Sequence, residues 1–208
     1  MPLKISETRE KDKLVQKPVN RKKAKAQVKK RPERPFIIDF HGHIVSPTLF
    51  KLTQDHTLHA RIGLGGKTSL GSARQSRETM KRMIDPAARI KDLDRMGIDI
   101  QVISPSLIHH NTTWADAENA DGIVRQVNNH VATAVDQYPD RLAGIGIVPL
   151  QDPRRSAREL DRMVNKLGLL GVQIPTWVSG LELGDKKFHP FWRKAEKLNV
   201  PVFIHPAG

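Results

Sequence analysis

The chain contains no cysteine among its 208 residues. Disulfide bonds and thiolate metal ligands are therefore excluded, so any metal site has to use nitrogen or oxygen ligands. Long apolar runs are lacking as well: none approaches the ~20 residues that cross a bilayer, and no hydrophobic stretch typical of a signal peptide opens the sequence. We therefore expect a cytoplasmic protein that does not enter a membrane.

Negative charge is scarce in the first 35 residues, which hold 4 Asp or Glu against 13 Lys or Arg. Apolar residues are also few there, so residues 1–35 are predicted to form a disordered basic extension and residues 36–208 the folded domain. A basic arm can contact nucleic acid. However, no aromatic residue stands between its charges to stack on bases, so nucleic acid is not the expected partner and a solvated extension is the favoured interpretation.

From residue 36 onward, short apolar runs alternate with segments of helical periodicity. Asp85-Pro86 and Asp152-Pro153 are each typical of a helix N-terminus, with an acidic cap followed by proline in the first turn. Further helices are expected over about 115–137 and 188–198. The predicted strands are 36–41, 98–104, 142–148, 171–174 and 200–205.

This alternation predicts an α/β fold with a parallel sheet. An open doubly wound sheet and a (β/α)8 TIM barrel are both compatible with it. No Gly-x-Gly-x-x-Gly follows the first strand, which disfavours the dinucleotide-binding form of the open sheet. Barrel enzymes carry their chemistry at the C-terminal ends of the strands, where His41, His43 and His205 stand. We therefore favour an incomplete barrel with about five of its eight strands.

His41 and His43 close the first apolar run and are separated by one residue. Because alternate side chains of a strand share a face, both imidazoles can bind one metal ion. A His-x-His on a strand is by itself more often incidental than a metal site, and His205 alone is as readily a packed histidine as a ligand. The wider pattern of the chain has to decide between these interpretations.

Six motifs in chain order supply that pattern over about residues 36–208. Together they resemble the amidohydrolase superfamily, in the branch of aminocarboxymuconate-semialdehyde decarboxylase and related aromatic-acid decarboxylases. The motifs are Asp39-Phe-His41-Gly-His43, Arg89 through Gly97 to Ser104-Pro105, Tyr138-Pro-Asp-Arg-Leu-Ala-Gly144, Val148-Pro-Leu-Gln-Asp-Pro153, Gly171-Val-Gln-Ile174 and Phe203-Ile-His205-Pro206.

The resemblance implies a metal-dependent hydrolase type of barrel with a metal site on His41, His43 and His205. Three neutral imidazoles leave a position open for water or substrate, as in a catalytic site, and zinc is the expected ion. Binuclear relatives use a lysine on the fourth strand that Gly171–Ile174 lacks, so one divalent metal is expected. The acid/base histidine and the aspartate ligand of this branch are expected beyond Gly208, so no catalytic residue is assigned here and the chain is expected to be an inactive N-terminal part.

Four further residues are candidates at a lower rank. Arg77 stands where related decarboxylases place an arginine that binds the substrate carboxylate, although it is as readily an exposed arginine of a basic loop. Trp114 and Trp177 follow strands and are candidates for stacking on an aromatic substrate, with structural packing as the alternative. Asp39 either orients a ligand from behind or makes a structural hydrogen bond. The pair His109-His110 follows the second strand and is a weaker candidate for substrate contact.

The sequence therefore predicts non-oxidative decarboxylation of an unsaturated or aromatic carboxylic acid, with that small molecule as partner and a homo-oligomer as a possible assembly. A metal-dependent hydrolase or hydratase of the same superfamily is the alternative within the enzymes. A non-catalytic module whose basic arm contacts nucleic acid is the alternative from another class.

Overall fold

The structure is a computed structural model that describes residues 34–53, 73–106 and 112–206. Within these ranges the helices are α1 to α6, and a single 3₁₀ turn, Lys186–Phe188, precedes α6. The helices are α1 Pro47–Thr53, α2 Ala73–Ile84, α3 Pro86–Met96, α4 Ala117–Gln137, α5 Pro153–Asn165 and α6 His189–Leu198. The strands are β1 Ile38–Ile44, β2 Ile100–Pro105, β3 Leu142–Ile147, β4 Gly171–Pro175, β5 Trp177–Val178, β6 Leu181–Glu182 and β7 Val202–His205.

Five of the strands form one parallel sheet in the order β1-β2-β3-β4-β7, and β5 pairs antiparallel with β6 in a short hairpin. Spatial order therefore follows chain order without a reversal. A doubly wound sheet reverses at a switch point, whereas successive strands of a barrel are neighbours. The strand order thus favours the barrel over the open sheet.

The sheet curls so that its two outer strands approach each other. Phe40 on β1 and Phe203 on β7 are in edge contact, with ring centroids 5.9 Å apart. His41 on β1 and His205 on β7 are closer still, with ring centroids 5.1 Å apart. The carboxyl ends of the first and last strands of the sheet therefore meet, which is the arrangement of an incomplete barrel.

Helix starts follow the predicted capping chemistry. The Asp85 carboxylate accepts a hydrogen bond from the backbone N–H of Ala87, and the Asp152 carboxylate accepts from those of Arg154 and Arg155. Each bond satisfies a backbone donor that the first turn of a helix otherwise leaves unpaired. The two aspartates thus fix where α3 and α5 begin, and with them the positions of the strands that these helices connect.

The main core lies between the sheet and the helices on its outer face. Phe188, directly before α6, and Phe191, on α6, are fully buried, and Leu160 and Met163 of α5 are equally buried. Strand glycines allow this close packing: a Cβ built at Gly146 would lie 2.7 Å from the Asn128 side chain and from the sulfur of Met163. Helices α4 and α5 can therefore lie directly against β3.

The structure departs from the sequence prediction in three places. Strand β1 runs to Ile44 rather than ending at residue 41, so His41 and His43 lie within it. The first connection contains α1 and α2, neither of which was predicted: α1 has only seven residues, and α2 has as many basic residues as apolar ones. The hairpin of β5 and β6 was also missed, because strands of two residues are too short for a periodicity.

None of the helices in the described ranges is long and apolar enough to cross a membrane. The basic extension predicted at residues 1–35 lies outside these ranges except for its last two residues. The glycine-rich stretch 63–71, which its sequence predicts to belong to a long functional loop, and the pair His109-His110 lie outside them as well.

Candidate metal centre

Three histidine rings converge at the carboxyl ends of β1 and β7. Nε2 of His41 lies 3.1 Å from Nε2 of His43 and 3.2 Å from Nε2 of His205. Two nitrogens bound to one tetrahedral zinc at about 2.0–2.1 Å are themselves about 3.3–3.4 Å apart. The two spacings from His41 are therefore close to that of ligands around a single ion, and all three ligand atoms lie within 4.8 Å of one another. No other group of this kind occurs in the part of the chain that the structure describes.

In His43 and His205, the hydrogen bonds of Nδ1 determine which ring nitrogen carries the proton. Nδ1 of His43 lies 3.1 Å from the backbone oxygen of Pro105 and 3.0 Å from Oγ of Ser104. Nδ1 of His205 lies 2.9 Å from the backbone oxygen of Pro206. A carbonyl oxygen only accepts, so each Nδ1 has to donate, and the Nε2 lone pair of each ring is left free. The two rings are therefore held in the tautomer that binds a metal through Nε2.

The surroundings also keep His43 neutral. Burial, and after it the nearby rings of His41 and His205, lower the pKa of His43 to about 4. An imidazole binds a metal only when it is unprotonated. His43 is thus ready to act as a ligand over the neutral pH range, and His205, only 7 % exposed, lies buried beside it.

Asp39 contacts the backbone of a predicted ligand and not its ring. One carboxylate oxygen accepts from the backbone N–H of His41 at 3.2 Å, and the other accepts from the side-chain amide of Gln101 at 2.5 Å. Gln101 in turn accepts from Nη1 of Arg89 at 2.7 Å, and Nη2 of Arg89 donates to the backbone oxygen of His43. Sequence reasoning missed Arg89 and Gln101, although both lie within the segment that carried the family resemblance.

The three residues predicted to contact the substrate lie in three different environments. Arg77 lies on α2 with an exposed side chain. Trp114 is half-buried and packs on the apolar cluster that includes Leu49 and Ile123. Trp177 is 46 % exposed and follows β4 by two residues. Pro175, two residues before Trp177, is paired with His205 in the sheet. Trp177 therefore lies at the same end of the sheet as the histidines.

Comparison with known families shows which family the fold and the three histidines belong to. A family model described as Amidohydrolase matches residues 38–208. The 2-amino-3-carboxymuconate-6-semialdehyde decarboxylase of Dictyostelium discoideum is 33 % identical over 184 residues, which is 83 % of this chain and 49 % of that protein. The chain thus spans about half the length of the curated relatives it matches.

Two solved structures resemble the fold closely. A dihydroxybenzoic acid decarboxylase from Polaromonas sp. JS666, with bound manganese and 2-nitroresorcinol, matches with a TM-score of 0.69 at 25 % identity, covering 84 % of this chain and 50 % of that chain. The 5-carboxyvanillate decarboxylase of Novosphingobium aromaticivorans, complexed with manganese and 4-hydroxy-3-methoxy-5-nitrobenzoic acid, matches with a TM-score of 0.70 at 27 % identity, covering 83 % and 50 %. The five-stranded sheet is thus the half of a barrel that these proteins share, which confirms the predicted fold class.

Proposed function

Since the chain belongs to the amidohydrolase family, we propose that it holds one divalent metal ion on His41, His43 and His205. The proposed reaction is the non-oxidative decarboxylation of an unsaturated or aromatic carboxylic acid. The convergence of three Nε2 atoms carries this proposal: that of His41 lies 3.1 Å and 3.2 Å from the other two, and all three lie within 4.8 Å of one another. Hydrogen bonds donated by Nδ1 of His43 and of His205 support it further, because they leave both Nε2 atoms free of a proton.

The chain's own groups bind and orient in this scheme. The carbonyls of Pro105 and Pro206 hold the Nδ1 protons of two ligands, so that the rings cannot rotate away from the shared point. A metal ion held by His41, His43 and His205 would supply a Lewis acid for an oxygen of the substrate. The burial of His205 keeps bulk water away from one side of the centre, which strengthens electrostatic interactions there.

Decarboxylation breaks the bond between the carboxylate and its neighbouring carbon. The electron pair of that bond stays on the carbon and is then captured by a proton, so that carbon dioxide leaves and a C–H bond forms. The Nε2 atoms of the three histidines face the shared point and serve as ligands. The proton has to come from a different group positioned at the face of the substrate.

Zinc and manganese are the two candidates for the ion. Imidazole nitrogen suits zinc, copper, iron and nickel, and manganese favours oxygen ligands, but the two solved structures contain manganese. Zinc remains our expectation from the sequence. We propose a small aromatic carboxylic acid as the substrate, since the solved relatives are decarboxylases of such acids. A cytoplasmic location and a homo-oligomeric assembly also stay predictions, to be tested by cell fractionation and light scattering.

Release of carbon dioxide tests the function directly. The full-length protein that carries this chain is loaded with Mn²⁺ or Zn²⁺ and given 2,6-dihydroxybenzoate, 5-carboxyvanillate and an aminocarboxymuconate semialdehyde in parallel, with carbon dioxide and the decarboxylated product measured together. We expect metal-dependent release from at least one acid by the full-length protein and, in keeping with the expectation from the sequence, none by residues 1–208 alone. His43→Ala should abolish it, whereas His189→Ala, which removes an exposed histidine outside the cluster, should not. Release that persists in His43→Ala, or water addition without loss of carbon dioxide, would contradict the proposal.

A further inference from the structure

We propose that Arg89 and Gln101 are positioning residues of the metal centre, which act through Asp39 and through the backbone of the two β1 ligands. This inference rests on the proposed metal centre, and it assigns the centre a support that lies outside the ligands themselves. The support begins on helix α3, crosses the neighbouring strand β2 and ends on β1.

The connections run without a break from the helix to both ligands. The Arg89 guanidinium donates through Nη2 to the backbone oxygen of His43 and through Nη1 to Oε1 of Gln101 at 2.7 Å. The Gln101 amide then donates to Asp39 at 2.5 Å, and Asp39 accepts from the backbone N–H of His41 at 3.2 Å. One end of the network therefore holds the carbonyl of His43 and the other end holds the N–H of His41.

The network lies where the strand is irregular. Asp39 is paired with Gln101, but Gly42 is paired with Ile103, so β1 has one residue more than β2 between these two pairs. An extra residue forms a bulge, which disrupts the ladder locally and turns a side chain to a new direction. His41 lies within this bulge. The Asp39 carboxylate supplies an acceptor for its N–H and so holds the bulge that aims the His41 ring.

The glycine between the histidines shows how closely the network fits. A Cβ built at Gly42 would lie 2.6 Å from Cδ of Gln101 and 2.9 Å from each of its amide atoms. The Gln101 amide therefore occupies the space beside Gly42 that any other residue would need. This contact gives a physical reason for the His-Gly-His order, since the glycine admits the amide that bridges Arg89 and Asp39.

The buried charge of Arg89 indicates that the network does more than fill space in the core. Arg89 is only 9 % exposed and Gln101 only 7 %. Burial lowers the pKa of Arg89, and the carboxylates of Asp39 and Asp92 oppose that effect. A buried guanidinium is costly unless its donors are used, and here two of them are aimed at the carbonyl of a ligand and at the amide beside it. Arginine suits this place because its planar fork holds two acceptors in a fixed geometry.

Metal affinity measured on conservative variants tests the inference. Gln101→Met keeps the length of the side chain and removes its hydrogen bonds, and Arg89→Lys keeps the charge and removes the fork. In the full chain, freed of metal and titrated with Mn²⁺, we expect each variant to bind about 10–100-fold more weakly than wild type, as is typical when a group behind a ligand is changed. Co²⁺ loading should also show an altered visible spectrum, because the ligand geometry changes.

Arg141→Lys is the matched control. Arg141 also donates to strand-adjacent backbone oxygens, those of Ile98 and Asp99, but at the amino end of β2 and away from the histidines. The Arg141→Lys substitution should lower the melting temperature and leave the Mn²⁺ affinity unchanged. If a variant fails to fold, Asp39→Asn provides a smaller change, and it is expected to weaken binding in the same direction.

The outcomes separate the two proposals. If wild type binds no Mn²⁺, or binds it equally well after His41→Ala, the metal centre itself is wrong. If wild type binds through His41 and the folded Gln101→Met, Arg89→Lys and Asp39→Asn chains bind as tightly as the Arg141 control, the metal centre stands and the positioning role is overturned.

Discussion

Replacing Gly42 with alanine should cost stability because of one contact, and the size of that cost can be worked out. The added Cβ would lie 2.6 Å from Cδ of Gln101, about 0.8 Å short of the 3.4 Å at which ordinary contact begins. The end of a free glutamine would simply move aside. Gln101 is held instead by Arg89 and by Asp39, both charged, and hydrogen bonds to charged groups are worth about 1.5–3 kcal/mol each. We therefore expect Gly42→Ala to lower the free energy of unfolding by about 2–4 kcal/mol.

A double-mutant cycle isolates that contact. Gln101→Ala by itself leaves donors of Arg89 and an oxygen of Asp39 without their partner, at a cost of about 1–3 kcal/mol. In the Gln101→Ala background the clash no longer exists, so adding Gly42→Ala should cost about 1–3 kcal/mol less than it does in wild type. Urea denaturation followed by circular dichroism gives all four free energies.

Gly144→Ala serves as the control for overpacking. A Cβ at Gly144 would lie 2.8 Å from Leu169 and 2.9 Å from Val131, which are apolar side chains distant from the network. It should cost about 1–3 kcal/mol with no relief from Gln101→Ala and no loss of metal affinity, whereas Gly42→Ala should weaken Mn²⁺ binding about tenfold. Equal costs of Gly42→Ala in the wild-type and Gln101→Ala backgrounds would refute the reasoning.

Three further predictions concern the frame around the centre. Asn128→Leu should lower the free energy of unfolding, measured by urea denaturation, by about 2–5 kcal/mol. The reason is that the Asn128 amide forms hydrogen bonds with both the N–H and the C=O of Ile147 at 2.9 Å and also with Glu159. A loss below about 1 kcal/mol would contradict this. Asp152→Ala should lower the free energy of unfolding by about 1 kcal/mol through loss of the α5 cap, with unchanged Mn²⁺ affinity as the check that the effect stays local. Burial lowers the pKa of His130 from its usual 6.5. The free energy of unfolding of wild type should therefore fall relative to that of His130→Asn as the pH falls below about 6.5. If the difference between the two free energies does not change with pH, His130 has no lowered pKa.

Much of the fold follows from local sequence signals. The acidic caps at Asp85 and Asp152 mark the starts of α3 and α5, and the apolar runs mark the five strands of the sheet. The alternation of side chains along a strand brings His41 and His43 together, and strand order brings them to His205. Each of these signals is either contiguous in the sequence or repeated at a regular spacing, which is why it can be read without a structure.

The support of the centre could not be predicted in that way. Arg89 reaches His43 across 46 positions and Gln101 reaches Asp39 across 62, and no periodicity links residues so far apart. The bulge in β1 depends on pairing with β2 and is likewise invisible in β1 alone. Asp39 shows the difference well: the sequence left open whether it orients a ligand or makes a structural hydrogen bond, and the structure places its carboxylate on the backbone N–H of His41.

The most direct test of the metal centre is the stoichiometry and ligand dependence of metal binding. Mn²⁺ is titrated calorimetrically into the metal-free chain and into His41→Ala, His205→Ala and the control His189→Ala. We predict one ion per chain for wild type and for the control, and no binding in the same concentration range for His41→Ala or His205→Ala. Binding of one ion that survives the loss of either ligand would contradict the account.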